Sequence, residues 1–318
     1  MKHIFIINPA AGLGKADNVI LPQIQQILAE TEVDFEIHRS LSTDEIISYV
    51  RQRASEGAPV RFYAVGGDGT INNVLNGMAE YPNAELAVIP CGTGDDFSRN
   101  FTHKENFLDI RKMMSAPSVK IDAMKMNGQY AINMFNIGAD CDIVVEAMKF
   151  KNKPFMGGSA SYALAALKVL SKGGRYRMKY RIDGSEEIED DFLLIAIGNG
   201  AYCGGGFHSC PKADLRDGLL DVCVARPVPT FGKLLPLLLK YKAGKHLEDP
   251  KALAYVEYIQ CSEITLVPDE PVNVAADGEV SRLTEAKFSS VKQGVSLVIP
   301  EGSEMICGKA EEAPETAE

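Results

Sequence analysis

Val65-Gly66-Gly67-Asp68-Gly69-Thr70 lies where a β-branched run at 60–65 gives way to an amphipathic stretch at 71–80. Glycines at such a strand-to-helix junction let the backbone approach a phosphate closely, and the helix start offers free N–H groups and a positive dipole end. A bare glycine turn would explain the glycines but not the acid between them. A carboxylate beside a phosphate is unfavourable unless a cation stands between the two, so Asp68 is read as an organiser of magnesium.

Working outward, β-branched runs at 4–7, 35–38, 60–65 and 86–89 alternate with amphipathic stretches at 16–30, 44–56 and 71–80. That alternation predicts βαβ units and a parallel, Rossmann-like sheet covered by helices. Beyond Val119 strand-like segments dominate, at 131–137, 176–182, 192–198, 219–225, 263–267 and 295–299, with helical interludes at 159–171 and 231–243. The expected division is an α/β nucleotide-binding domain at 1–121, a β-rich domain at 122–307 whose last strand can return to the first, and a disordered Ala-, Glu- and Pro-rich tail at 308–318.

Two further loops share the strand-to-helix setting. Asn8-Pro9-Ala10-Ala11-Gly12-Leu13-Gly14-Lys15 follows the first strand; it lacks the Walker A spacing but places Lys15 where it can counter phosphate charge. Pro90-Cys91-Gly92-Thr93-Gly94-Asp95-Asp96-Phe97-Ser98-Arg99 follows the strand at 86–89. Asp95 or Asp96 could equally cap a helix. In open α/β sheets ligands bind beyond the carboxyl ends of the strands, where all three loops would converge.

Composition narrows the class. The net charge of −10 disfavours nucleic acid as a partner, since that binding rests on neutralising phosphates. One segment departs from the average: from Lys149 to Arg181 there are nine Lys and Arg residues and no acid. Within it Arg175, Arg177, Lys179 and Arg181 alternate with apolar residues, so a strand would present them on one face, either to an anionic membrane surface or as charge protecting an edge. Lys149, Lys151 and Lys153 beside Phe150 and Phe155 could add to such docking. Seven scattered cysteines (91, 141, 203, 210, 223, 261 and 307) fit neither a disulfide framework nor a zinc site. No apolar run approaches the roughly 20 residues of a membrane span, and the N-terminus looks like a strand rather than a signal peptide, so a cytoplasmic location is expected.

Asn8-Pro9-x-Ala11-Gly12, Gly66-Gly67-Asp68-Gly69-Thr70 and Pro90-x-Gly92-Thr93-x-x-Asp96-Phe97-x-Arg99, in this order, resemble the catalytic domain of the diacylglycerol kinase family, which includes sphingosine and ceramide kinases. The likeness continues through Asn133 with Gly138, Asn199-Gly200, Gly204-Gly205-Gly206, Pro211-x-Ala213, Asp217-Gly218-x-Leu220-Asp221 and Asp277-Gly278-Glu279, to about Ile306. It implies an N-terminal three-layer domain like that of NAD kinases, a C-terminal β-sandwich, and ATP- and magnesium-dependent phosphorylation of a lipid alcohol, diacylglycerol by analogy. It also implies nucleotide contacts at Asn8, Lys15, Gly66, Gly67, Asp68, Gly69, Thr70, Ile71, Asn72 and Thr93, with Ser40 or Thr43 supplying a hydroxyl. A structural magnesium site would take Asp214, Asp217 and the Leu219 carbonyl, although a plain β-turn explains Asp217-Gly218 equally well.

In relatives an aspartate network, here Asp68, Asp96 and Asp217, joins that metal to the active site. Asp95 departs from the asparagine common in the family and is expected to point away from the phosphates or be balanced by Arg99. Glu279 takes the general-base position, with Asp277 its rival unless Asp277-Gly278 only makes a hairpin turn. Family members are often dimers, yet no segment here marks an interface. The competing readings are an NAD kinase, which shares the Gly-Gly-Asp-Gly-Thr loop, a sphingosine- or ceramide-type kinase, and a non-catalytic nucleotide-binding regulator.

Overall fold

The computed structural model describes residues 1–40, 42–151, 164–165, 168–170 and 174–306. Most of the expected helix at 159–171, the tail at 308–318, Cys307, Lys153, Phe155 and Lys172, and the side chains of Lys149, Phe150 and Lys151 lie outside the described residues.

Strands β1 (Lys2–Ile7), β2 (Phe35–Arg39), β3 (Val60–Gly66) and β4 (Ala84–Pro90) form a parallel sheet in the order β2-β1-β3-β4. Every residue of β3 is buried, as a continuous apolar run in a sheet covered on both faces requires. Helices α1 (Leu21–Ala29), α2 (Thr43–Ser55), α3 (Asp68–Met78) and α4 (Ile110–Ser115) cover it, with α2 packed on α3 and α1 on α4. The expected helix at 16–30 begins as a wider π turn at Ala16–Ile20 before settling into α1. Ile24 and Leu28 of α1 and Ile46 and Val50 of α2 point into the core, each fully buried aliphatic side chain contributing about 1.5–3 kcal/mol.

The second half is built from β5 (Ser118–Met126), β6 (Gln129–Ala131), β7 (Met134–Gly138), β8 (Tyr176–Ile182), β9 (Ile188–Phe192), β10 (Leu194–Gly198), β11 (Tyr202–Cys203), β12 (Phe207–His208), β13 (Leu220–Ala225), β14 (Val256–Cys261), β15 (Glu263–Pro268), β16 (Val272–Ala276), β17 (Glu279–Leu283) and β18 (Ala286–Val298). Helices α5 (Ala139–Lys151), α6 (Phe231–Lys242) and α7 (Pro250–Leu253) accompany them. The single strand expected at 131–137 is interrupted at Ile132 and Asn133, whose backbone amides bond the Asp277 side chain instead of continuing a ladder.

The two halves share a sheet. Leu297 of β18 pairs parallel with Leu86 of β4, while β18 pairs antiparallel with β5 from Phe288 to Val298 and with β15 from Ala286 to Ser289, extending the first sheet to β8 and β9. A second sheet, β14-β13-β10-β7-β16-β17, packs across it around Phe135, Met178, Phe192, Ile195 and Phe288. Phe135 and Phe288 meet edge to face at 5.1 Å, so the second half is a β-sandwich with its own core.

The basic strand requires a correction. β8 and β9 form an antiparallel hairpin that sets Arg177 opposite Asp191 and Lys179 opposite Glu189. Arg177 pairs with Glu189 at 2.7 Å and with Asp191 at 3.5 Å, Lys179 with Glu187 at 3.3 Å, Arg181 with Glu187 at 2.8 Å, and Arg175 approaches Asp191 at 3.8 Å. The expected cationic stripe is therefore largely neutralised by acids that lie just after it in the chain.

Candidate active site

The three glycine loops meet at one rim because β1, β3 and β4 end in register. The Asn8 amide donates to Val65 O at 3.2 Å and the Cys91 amide to Gly66 O at 2.9 Å, while Asn8 Nδ2 donates to Thr70 Oγ1 at 3.2 Å. Gly12 has φ +59°, and a Cβ there would lie 2.1 Å from Cys91 O, so the first loop rests on the third. A Cβ on Gly92 would lie 2.5 Å from Gly67 Cα, so the third rests on the second. Larger residues at either position would force the loops apart. Gly67 caps α3 without a side-chain acceptor, leaving the helix start to face the rim with its backbone.

Asp68 is fixed between these loops by the Asp96 amide at 3.1 Å and the Phe97 amide at 3.0 Å. Burial pushes its carboxyl up to about 6, with the charges of Asp96 and Asp277 adding to the rise and the two amide bonds opposing it. Asp96 is itself buried, accepting from the Gly205 amide at 2.7 Å and from Arg99 Nε at 3.2 Å. Asp95 adopts φ +48° and turns back to accept the Gly92 amide at 2.8 Å, while the hydrogen bonds of Arg99 go to Asp96 and to Gly94 O. Burial raises the Asp95 carboxyl, and Lys15 opposes that rise more strongly than Arg99 does.

Glu279 arrives from the other half of the chain. As the first residue of β17 its Oε1 lies 2.7 Å from the place of a Cβ on Gly69, at the start of α3. The hairpin that carries it turns through Asp277 and Gly278, both at positive φ. Asp277 has a different task from Glu279. Its buried carboxylate accepts from the amides of Ile132 (2.8 Å), Asn133 (3.1 Å) and Met134 (2.7 Å) and from Asn72 Nδ2 (3.2 Å), which occupies it in holding β7 and α3 together.

The remaining nucleotide candidates divide into two groups. Lys15 and Thr93 are exposed, and the charge of Lys15 acts on Cys91 and Asp95 of the third loop. Ser40, Ile71 and Asn72 are buried: Ser40 Oγ donates to Ser42 O and Glu45, the Ile71 side chain joins the core, and Asn72 also donates to Tyr130 O at 3.0 Å. Thr43 Oγ1 accepts from Asn73 Nδ2 at 3.3 Å, so neither candidate hydroxyl lacks an internal partner.

At the second acidic loop, Asp214 accepts the Arg216 amide at 3.0 Å and Asp217 the Leu219 amide at 2.9 Å. Burial raises the Asp217 carboxyl, and the charges of Asp214 and Asp122 raise it further. The charges of Asp214 and Asp122 thus act on Asp217, and those of Asp96 and Asp277 on Asp68. Among the described residues no three His, Cys, Asp or Glu side chains gather to hold a metal, so any cation would draw on a pair of acids, backbone carbonyls and ligands from outside the chain. Oxygen-only donors that repel one another suit magnesium at both places, although the Lys292 side chain already crosses Gly218 at the second.

Sequence reasoning missed Asp122, which is 1% exposed and accepts the amides of Gly218 and Gln293, both at 2.7 Å, tying the acidic loop to β18. It also missed the link from Asn100 Nδ2 to Asn133 Oδ1 at 3.0 Å, which joins the third loop to the sandwich. A buried asparagine and aspartate carry no local signature; only the long-range fold supplies their partners.

Residues 2–126 match the family model described as the diacylglycerol kinase catalytic domain, and residues 135–299 the one described as the YegS C-terminal NAD kinase beta sandwich-like domain. A diacylglycerol kinase of Staphylococcus carnosus is 28% identical over 237 residues, covering 74% of this chain and 75% of the relative. A protein of Alcanivorax borkumensis named "Probable lipid kinase YegS-like" is 28% identical over 260 residues, covering 81% and 84%. The crystal structure of a diacylglycerol kinase from Bacillus anthracis superposes with a TM-score of 0.68 at 25% identity, covering 94% of this chain and 97% of that one. An NAD kinase from Archaeoglobus fulgidus, solved with ATP, gives 0.51 at 13% identity over 95% and 94%, a likeness of fold alone. With both halves matched in order along one chain, the protein belongs to the diacylglycerol kinase family, its α/β catalytic domain followed by a YegS-type β-sandwich domain.

Proposed function

We propose that the chain transfers the γ-phosphate of ATP to a lipid hydroxyl, with diacylglycerol as acceptor and phosphatidic acid as product. The observation that carries this reading is the placement of Glu279 against Gly69, which sets a carboxylate from the sandwich at the helix start where the glycine loops meet. The amides of the three loops and the start of α3 would cradle the phosphates, with Asn8, Lys15 and Thr93 around them. Glu279 takes the proton of the acceptor hydroxyl as its oxygen bonds to the γ-phosphorus, while the bond to the β-phosphate oxygen breaks and ADP leaves. Lys15 offsets charge on the transferring group. Asp68 and Asp96 would hold the nucleotide's magnesium, and Asp214, Asp217 and the Leu219 carbonyl a structural one; the bound ion supplies charge neutralisation at the phosphates. The chain would work from the cytosol on the inner membrane surface.

The test is phosphate transfer from ATP, with magnesium, to diacylglycerol, sphingosine, ceramide and NAD in parallel. Diacylglycerol should be phosphorylated and NAD should not. Transfer to NAD alone, or to none of the four despite ATP uptake, would remove the proposal.

A further inference from the structure

Helix α6 holds five leucines and a proline in twelve residues, yet among its described side chains only Tyr241 is buried. Leu235 and Leu239 are 48% and 63% exposed. Four residues apart, they share one helix face, and exposed Pro236 lies next to Leu235. A helix this apolar normally sits inside a core or against a membrane. Its polar positions are basic. Lys233, Lys242 and Lys245 are exposed, and among the described residues no carboxylate pairs with any of them, whereas Lys240 is paired with Asp249. In a chain of net charge −10 this is a local surplus of cations beside exposed leucines.

The helix also lies one hairpin from the rim. Lys242 Nζ stacks 5.5 Å over the Phe207 ring, and the Tyr241 ring lies 6.3 Å from it. Phe207 begins β12, and the glycine turn joining β11 to β12 donates from the Gly205 amide to Asp96 of the third loop at 2.7 Å.

We infer that α6 is the face by which this kinase lies on an anionic bilayer, with Leu235 and Leu239 among the acyl chains and Lys233, Lys242 and Lys245 at the headgroups. The choice of occupant rests on the lipid-kinase reading and on charge: a second copy would bring lysines against lysines, while anionic headgroups complement them. Basic residues near such a surface and apolar side chains entering it each strengthen binding, the pattern of a helix lying in the interface.

The test is co-sedimentation with phosphatidylglycerol–phosphatidylcholine vesicles, without ATP, for the wild type, Leu235→Gln/Leu239→Gln and Lys233→Gln/Lys242→Gln. Each double variant should partition on the order of tenfold more weakly. Both should keep wild-type transfer to a water-soluble short-chain diacylglycerol and an unchanged mass by light scattering. Added salt should weaken the wild type and the leucine variant but have less effect on the lysine variant. The surface lysine variant keeps the test valid should the leucine variant fold poorly. Unchanged partition of the lysine variant, or a fall in solution mass with vesicle binding retained, would overturn the inference, the latter marking a contact between copies. Absence of short-chain transfer by the wild type, with vesicle binding intact, would count against the kinase reading and not against the docking face.

Discussion

Asp68 at the glycine rim and Asp277 at the seam between the halves are both buried acids, and they are provided for differently. Asp277 receives four donors, three of them backbone amides. Asp68 receives two and faces the charge of Asp96 as well as that of Asp277. A carboxylate whose oxygens are satisfied from within the chain supports the fold, whereas one left short of positive charge is suited to a cation brought by a ligand. The same contrast separates the two basic regions: the cations of β8 are answered by Glu187 and the acids of β9 that follow it, while three lysines around α6 have no carboxylate partner among the described residues.

Breaking the seam should have the largest effect. Asp277→Ala strands several buried donors, each costing about 1–3 kcal/mol, so denaturant unfolding should show a loss on the order of 4 kcal/mol or more. If stability changed by less than about 1 kcal/mol, Asp277 would not be the clamp its contacts suggest. At the rim the outcome should be reversed. Asp68→Asn should leave the unfolding midpoint within a few degrees of the wild type while lowering phosphate transfer on the order of a hundredfold or more. A large fall in stability with activity preserved would place Asp68 with Asp277 instead.

The contrast sharpens with pH. Asp68 titrates near 6 in the folded chain and in the ordinary aspartate range near 4 when unfolded, so between those values the folded state binds the more protons. Stability therefore falls as pH rises through that window, by up to about 3 kcal/mol, and the loss is complete above it. Burial pushes Asp140 and Asp221 to about 6 as well, so the difference between the wild type and Asp68→Asn isolates the Asp68 share. Parallel stability curves for the two proteins from pH 4 to 6 would show that Asp68 is not strained by its burial.

The smallest effect should come from β8. Its ion pairs are exposed and worth about 0–1 kcal/mol each, so changing Arg175, Arg177, Lys179 and Arg181 to Gln should leave binding to anionic vesicles within about twofold of the wild type. A tenfold loss would return membrane docking to the strand.

The rim was legible because its signals are local. Each loop carries its glycines, Lys15, Asp68 or Asp96 within a few residues of a strand end, and parallel strands bring such ends to one edge without further information. The seam was not, since the three amide donors of Asp277 lie about 145 residues earlier and the fourth, Asn72, 205 residues earlier, and only the tertiary fold brings them near. Neutralisation of β8 was readable in principle. Asp183-Gly184 marks a hairpin turn, and folding Glu187, Glu189 and Asp191 back across it places them beside the cations.

The most direct test of the account pairs ATP titration calorimetry, with magnesium, with phosphate transfer to diacylglycerol for the wild type and Glu279→Gln. The account predicts that both proteins take up ATP with similar affinity while the variant transfers phosphate roughly 10²- to 10⁴-fold more slowly. Transfer by Glu279→Gln at the wild-type rate, or a wild type that takes up no ATP, would contradict it.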